Sequence, residues 1–221
     1  MEKELCLPRE YLSYSQMKLW LDDKVAYRAR YYEGKEEHKS PELMFGSEMA
    51  KGLENGTIIV PKLEVYPVKE WRFKGLVGGV PFAAYVDTYW PGRRKFREYK
   101  TGKWAWTQKK VDEHMQLDVY SLCIEEKEGG VDDECHLDWL VTRNKKQTME
   151  FDGHLLVSEA RGIETTGEVI TFARVIKKIE RDRMREVIRS VANEISGDYR
   201  KWLTLNPAGT LPSTHQGRPS R

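Results

Sequence analysis

The sequence predicts an α/β (α+β) fold, a mixed central β-sheet flanked by helices. Runs rich in β-branched and aromatic residues fill 58–100 and return between 135 and 171. Segments with apolar residues three and four apart stand before, between and after those runs. Chain breakers sit at the joins, among them Asn55-Gly56, Pro91-Gly92 and Gly129-Gly130.

A helix opens at Tyr14, where Met17, Leu19, Trp20, Leu21 and Val25 recur at helical spacing and Ser13 or Ser15 can cap the first turn. A charged, glycine-containing linker covers 33–42. A second, short helix over 46–54 ends at Asn55-Gly56, a C-cap signature. Residues 63–73 carry a proline, which cannot donate to a ladder, and so read as an edge strand. A strand rich in β formers spans 80–90, and a short one spans 95–100 after the Pro91-Gly92 turn. A helix over 107–126 follows, with Met115, Val119 and Leu122 on one side. Strands over 135–142, 149–157 and 168–171 lead to a long amphipathic helix over 174–203, with Ile176, Ile179, Met184, Val187, Ile188, Val191 and Ile195 along it. The Pro-, Gly- and Ser-rich stretch 204–221 reads as a disordered tail behind a single domain of 1–203.

Composition narrows the function classes. With 39% hydrophobic and 33% charged residues, the chain reads as globular with a heavily charged surface. No apolar stretch approaches the roughly 20 residues that span a bilayer, and no apolar segment follows the charged N-terminus. A membrane partner is therefore not expected, and the cytoplasm is the expected compartment. Cys6, Cys123 and Cys135 stand far apart, which excludes a disulfide framework and a four-thiolate site from one chain.

The net charge of +2 conceals a segregation. Residues 69–110 hold eleven Lys/Arg against three Asp/Glu, 111–138 hold one against ten, and 174–201 hold nine against five. Clustered cations are what a polyanion partner requires, because neutralised phosphates release counterions. A solvated charged face gives the same pattern, so charge alone does not decide.

Asp87 closes the apolar run Val80-Pro81-Phe82-Ala83-Ala84-Tyr85-Val86, and Glu98-Tyr99-Lys100-Thr101-Gly102 follows on the next strand. Glu98 and Lys100, two apart in an extended strand, project from one face. If the strands pair through Pro91-Gly92, Asp87 can lie beside Glu98. Two close carboxylates repel unless a cation separates them, which is how a hard divalent-metal site is built. A lysine on the same face can then orient a water or stabilise charge developing on a phosphate. A surface salt bridge is the plain alternative for such a pattern standing alone.

These residues resemble the PD-(D/E)XK nucleases of the RecB-like, phage-type exonuclease branch. Asp87 is similar to that family's metal-binding aspartate, and Glu98 and Lys100, followed by Thr101-Gly102, to its second carboxylate and catalytic lysine. Gln116 and Tyr120 match the family's Q-x-x-x-Y, and Ser13-Tyr14-Ser15 its Ser-x-Ser opening. The resemblance implies a restriction-endonuclease-like core and a catalytic set of Asp87, Glu98 and Lys100. It implies Mg2+ or Mn2+ as cofactor, held by Asp87, Glu98 and the Tyr99 carbonyl, and DNA as substrate in recombination, repair or phage DNA metabolism. A single-strand-annealing or recombinase protein is a candidate partner. Gln116 and Tyr120 are expected to touch the site's edge and a DNA phosphate; a core-facing polar pair is the alternative.

Three departures bear on that expectation. Ala84 stands where G-x-x-D has its glycine, which keeps a small residue. Ala50 stands at the histidine of G-x-x-x-H, so a third metal ligand must come from elsewhere. Glu54, one helical turn beyond Ala50, is the favoured substitute, an ordinary surface acid before the Asn55-Gly56 cap being the alternative; Glu48 lies on roughly the opposite side. No cysteine follows Cys135, so the iron–sulfur cluster of some relatives is expected to be absent. The missing histidine also leaves room for a catalytically impaired nuclease fold acting as a DNA-binding module or recombinase partner.

Lys103 and Trp104, with Trp106, Lys109 and Lys110, interleave aromatic and basic side chains in the manner that suits stacking of unpaired bases; packing of the two tryptophans under a loop is the competing reading. Arg93 and Arg94 are expected to follow the DNA backbone. His114 and His136 lack partners at ligand spacing and read as structural, and Trp20, Trp71, Trp139 and Trp202 as core.

Overall fold

The computed structural model describes residues 4–36, 40–129, 133–151 and 154–207. Five strands, β1 (Val68–Val77), β2 (Val80–Trp90), β3 (Lys95–Gly102), β4 (Asp133–Phe151) and β5 (His154–Ile176), form one sheet in sequence order. All neighbours are antiparallel except β3 and β4, which run parallel. A parallel pair needs a crossover, and α4 (Gln108–Asp112) with α5 (Met115–Glu128) supplies it. The mixed sheet flanked by helices that the sequence predicts is the observed fold.

Helices α1 (Tyr14–Asp22), α2 (Lys24–Tyr31), α5 and α6 (Lys178–Leu205) share the main core with one face of the sheet. Trp20, Tyr27, Phe82, Phe96, Leu117 and Ile195 are all buried there. α3 (Pro41–Asn55) covers the other face, where Met49, Val60, Leu63 and Leu140 make a smaller cluster. α5 is buried continuously from Gln116 to Ile124, so it carries no amphipathic signature; a helix sealed all round is a core element. Among the described residues no helix is long and apolar enough to cross a membrane.

Several boundaries differ from expectation for identifiable reasons. The single helix expected from Tyr14 through Val25 is two, because Asp23 is extended at φ −153° and its carboxylate accepts from Val25 N and Ala26 N, capping a second helix. The helix expected over 46–54 begins at Pro41, with Ser40 accepting from Leu43 N. The helix expected over 107–126 is broken at Glu113–His114. The edge strand starts at Val68 rather than residue 63, and Arg174 belongs to β5, not to the last helix.

The three late strands are two, paired from Asp133↔Ile176 to Phe151↔His154. Beyond Gly102↔Val141 no third strand pairs with this ribbon among the described residues, so nothing there imposes period-two burial and the stretches 143–148 and 158–167 carry no strand pattern. The expected tail begins inside the last turn of α6, and beyond residue 207 it lies outside the described residues.

Candidate active site

The alternation of β1 and β2 slips at one point. Val86 and Tyr89 both point into the main core although they are three apart, and so do their partners Trp71 and Val68. Strict period two would send one of each pair to the opposite face. The slip falls at Glu70 and Asp87: the ladder pairs Lys69↔Thr88 and Trp71↔Val86 but not the two residues between. Glu70 takes a left-handed φ of 48°, costly for a residue with a Cβ.

Asp87 is displaced from the ladder on its other side too. Pairing of β2 with β3 ends at Thr88↔Arg97. Past that point the Asp87 carboxylate itself accepts from Tyr99 N at 2.8 Å. One carboxylate is thus held against the peptide that joins Glu98 to Tyr99.

Glu98 is 5% exposed and its two oxygens differ. Oε1 accepts from Lys100 Nζ at 2.6 Å and from Gln116 Nε2 at 2.9 Å. Oε2 is buried and has no hydrogen-bond partner in the protein. A buried carboxylate oxygen left in that condition is expensive unless a cation or water completes it.

Gln116 closes the arrangement. Its Oε1 accepts from Lys100 Nζ at 2.7 Å, and its Nε2 also donates to the Tyr120 hydroxyl at 2.6 Å. The i, i+4 spacing puts Gln116 and Tyr120 on one face of α5, directly against β3, where Tyr120 meets Phe96 edge-on. Both are buried, Gln116 at the site's edge against Glu98 and Lys100 and Tyr120 behind it. Neighbouring groups feel the same charges. Burial first, then the Glu98 carboxylate, pushes the Tyr14 phenol up to about 12. Burial and then the Lys100 ammonium hold the His114 imidazole down at about 4, so it is neutral near pH 7.

On the α3 side lies a small cleft, lined among others by Ala50, Glu54, Lys69, Glu70, Asp87 and Tyr99. Glu54 therefore shares a cleft with Asp87, whereas Glu48 is exposed and does not line it. Glu70 was not anticipated. Its sequence context is an ordinary strand, and only the register places it opposite Asp87. Lys69 Nζ donates to the Leu53 and Glu54 carbonyls at 3.2 and 3.4 Å, tying the end of α3 to the cleft.

The residues fit a hard divalent cation in part. The unpartnered Glu98 Oε2 is the donor such an ion takes, and the Asp87 carboxylate is held on the next residue's peptide N–H, that of Tyr99. Among the described residues no three His, Cys, Asp or Glu side chains close on one point. Mg2+ tolerates that, since it keeps several waters and is often bound through one or two carboxylates.

No protein-family model matches the chain, and no curated protein does. Two solved structures are similar in fold. One, from Eubacterium rectale and assigned as an exonuclease, is 14% identical over 84% of this chain and 82% of its own, at a TM-score of 0.48. The other, a phage-related exonuclease from Haemophilus somnus, is 11% identical over 80% and 79%, at 0.46. A likeness at that level says nothing about the reaction.

The remaining predicted residues divide into two groups. Lys103 and Trp104 leave the end of β3 just past Lys100, with the Lys103 ammonium 5.7 Å from the Trp104 ring. Arg93 and Arg94 lie instead at the β2–β3 turn, about 20 Å of strand from Lys100, and are not brought to the site. Arg93 stacks 4.1 Å over Trp90, and Arg94 donates to the Gly129 carbonyl at the end of α5. Of the residues read as structural, Trp20, Trp71 and Trp139 are buried, and Trp202 packs against the core half-exposed. His136 meets the Tyr66 hydroxyl at 3.4 Å, away from the site.

Proposed function

We propose that this chain is a metal-dependent DNA nuclease that hydrolyses phosphodiester bonds from DNA ends. The observation that carries the reading is the asymmetry of Glu98, one oxygen saturated by Lys100 and Gln116 and the other buried without a partner. The motif resemblance to RecB-like PD-(D/E)XK exonucleases supports it, as do the cations of 69–110. Asp87 and Glu98 would hold Mg2+ or Mn2+, with the Tyr99 carbonyl and Glu54 as further candidate ligands. When bound, the ion lowers the pKa of a water and offsets charge on the phosphate.

The protein's own groups do the rest. Gln116 and Tyr120 fix the Glu98 rotamer, so Oε2 faces away from Lys100. Lys100 uses two ammonium donors on Glu98 and Gln116, and its third suits a phosphate oxygen or the attacking water. Burial of Glu98 strengthens each of these contacts.

A role in recombination, repair or phage DNA metabolism, with a recombinase or annealing protein as partner, belongs to the same proposal. Ala50, standing at the family's histidine position, favours one other reading, a DNA-binding module without turnover. Digestion of end-labelled linear and covalently closed circular DNA with Mg2+ separates them. Loss of the linear DNA alone, abolished by Asp87→Ala, is the expected result. Binding with no digestion of either DNA at any Mg2+ concentration would establish the module instead.

A further inference from the structure

Trp104 is 77% exposed, the most exposed aromatic side chain among the described hydrophobic residues. Its neighbour on the same loop, Trp106, is half-buried and meets the His114 ring at 5.1 Å. Trp106 roots the loop and Trp104 stands clear of it. Lys110 Nζ donates to the Ala105 carbonyl at 2.8 Å, which holds a cation directly beneath the exposed ring's segment.

The loop belongs to the catalytic end of the sheet. Trp104 is four residues beyond Lys100, so their Cα atoms are at most about 14 Å apart. Trp139 Nε1 donates to the Gly102 carbonyl at 2.7 Å and fixes where the chain leaves β3. The first turns of α3 pack on the same segment: a Cβ at Gly46 would come within 3.1 Å of Thr101 Oγ1, and Glu42 feels the Lys103 charge. Leu43 and Met44 are exposed there, at 38% and 47%. The exposed indole thus leaves the catalytic end of β3 with Lys103, Lys109 and Lys110 close along the chain.

We propose that Trp104 is a stacking platform for an unpaired base, so that the site takes DNA ends carrying single-stranded nucleotides. Flanking cations with one open indole face are complementary to a polyanion whose bases are accessible. Inside a duplex each base face is covered by its neighbours, and a lone exposed ring then has nothing to stack on. The proposal deepens the nuclease reading and rests on it for where the scissile bond lies, but the binding it predicts needs no metal and no turnover.

The test is fluorescence anisotropy in EDTA, using the full chain, with labelled oligo(dT) and a labelled blunt duplex as probes. Stacking of one base contributes about 1–3 kcal/mol, so Trp104→Ala should bind oligo(dT) roughly tenfold or more weakly. The blunt duplex should bind it as it binds the wild type, and Trp104→Tyr should recover most of the loss. Trp104 emission in the wild type should be quenched by oligo(dT), read as signal missing from Trp104→Phe. Unchanged oligo(dT) affinity for Trp104→Ala overturns the platform, as does an equal loss on both probes, which would mark a general electrostatic or structural contact. If oligo(dT) binding depends on Trp104 while Mg2+ never yields cleavage by the wild type, the platform stands and the nuclease reading falls. Equal wild-type affinity for both probes, with neither quenching the tryptophan, overturns it and leaves a protein contact as the function of the loop.

Discussion

Gln116 Nε2 donates to Glu98 Oε1 at 2.9 Å, and that one bond decides which oxygen of the carboxylate is left for a ligand. The same amide takes the Lys100 proton donor on its other atom, so acid, base and amide form a closed triangle. Each member constrains the other two.

Gln116→Leu should keep the volume and break the triangle. Hydrogen bonds to charged groups contribute about 1.5–3 kcal/mol, so turnover should fall by roughly 10- to 100-fold. Tyr120→Phe removes a single bond to the amide and should cost less. Steady-state cleavage rates with circular dichroism as a fold control check both. An unaffected rate in Gln116→Leu would mean that Lys100 and Glu98 hold each other without help.

Glu54 and Glu48 make different predictions because only Glu54 shares the cleft with Asp87. Glu54→Gln should raise the Mg2+ concentration for half-maximal cleavage, and Glu48→Gln should leave it alone. A Mg2+ titration of the two variants side by side decides this. If neither moves the midpoint, the cation is held by Asp87 and Glu98 with waters.

The candidate site was largely legible in the sequence. Glu98 and Lys100 share a strand face by spacing alone, and Gln116 and Tyr120 share a helix face in the same way. The kink that displaces Asp87 was not legible, since a glutamate with positive φ leaves no compositional trace. Charge clustering along the chain did not tell that Arg93 and Arg94 stand at the β2–β3 turn, about 20 Å of strand from Lys100. Both helix breaks, at Asp23 and at Glu113–His114, involve polar residues that a helical period accommodates without complaint.

The strain at Glu70 has its own consequence. Left-handed backbone costs an L residue roughly 1 kcal/mol, which glycine escapes. Glu70→Gly should therefore be more stable than Glu70→Ala by about 1 kcal/mol, or roughly 2–4 °C in Tm for a chain of this size. Thermal melts of the pair test it; the reverse order would mean that the turn relaxes once the side chain is gone.

Two buried groups near α5 should oppose each other in acid. Burial pushes the Asp118 carboxyl up to about 6, with Arg174 at 2.5 Å pulling it partly back. A folded pKa above the unfolded value means that the native state binds the extra proton, so this group's contribution falls as pH rises from about 4 to 6. His114, held at about 4, works the other way: the unfolded chain takes up the proton first, and stability is lost as pH falls from about 6.5 to 4. Other groups titrate there too, His136 among them, so the urea midpoints of each variant are read as differences from the wild type. His114→Gln should give midpoints that rise toward acid, and Asp118→Asn midpoints that fall. Parallel profiles for all three would contradict these assignments.

Behind the site, Arg97 makes two hydrogen bonds to Asp138, each at 2.9 Å, and both side chains are buried. Asp138→Ala removes both of these bonds and leaves the guanidinium its pairing with Glu64, so it should destabilise the fold by about 1.5–3 kcal/mol, read by denaturant titration.

The most direct test of the account is calorimetric titration of Mn2+ into the wild type and into Glu98→Gln, without DNA. The variant keeps the shape and the Oε1 side of the triangle but loses the charge behind the unpartnered Oε2. The account predicts saturable Mn2+ binding by the wild type that Glu98→Gln loses while its melting profile is preserved. Equal Mn2+ binding by the two proteins would contradict it.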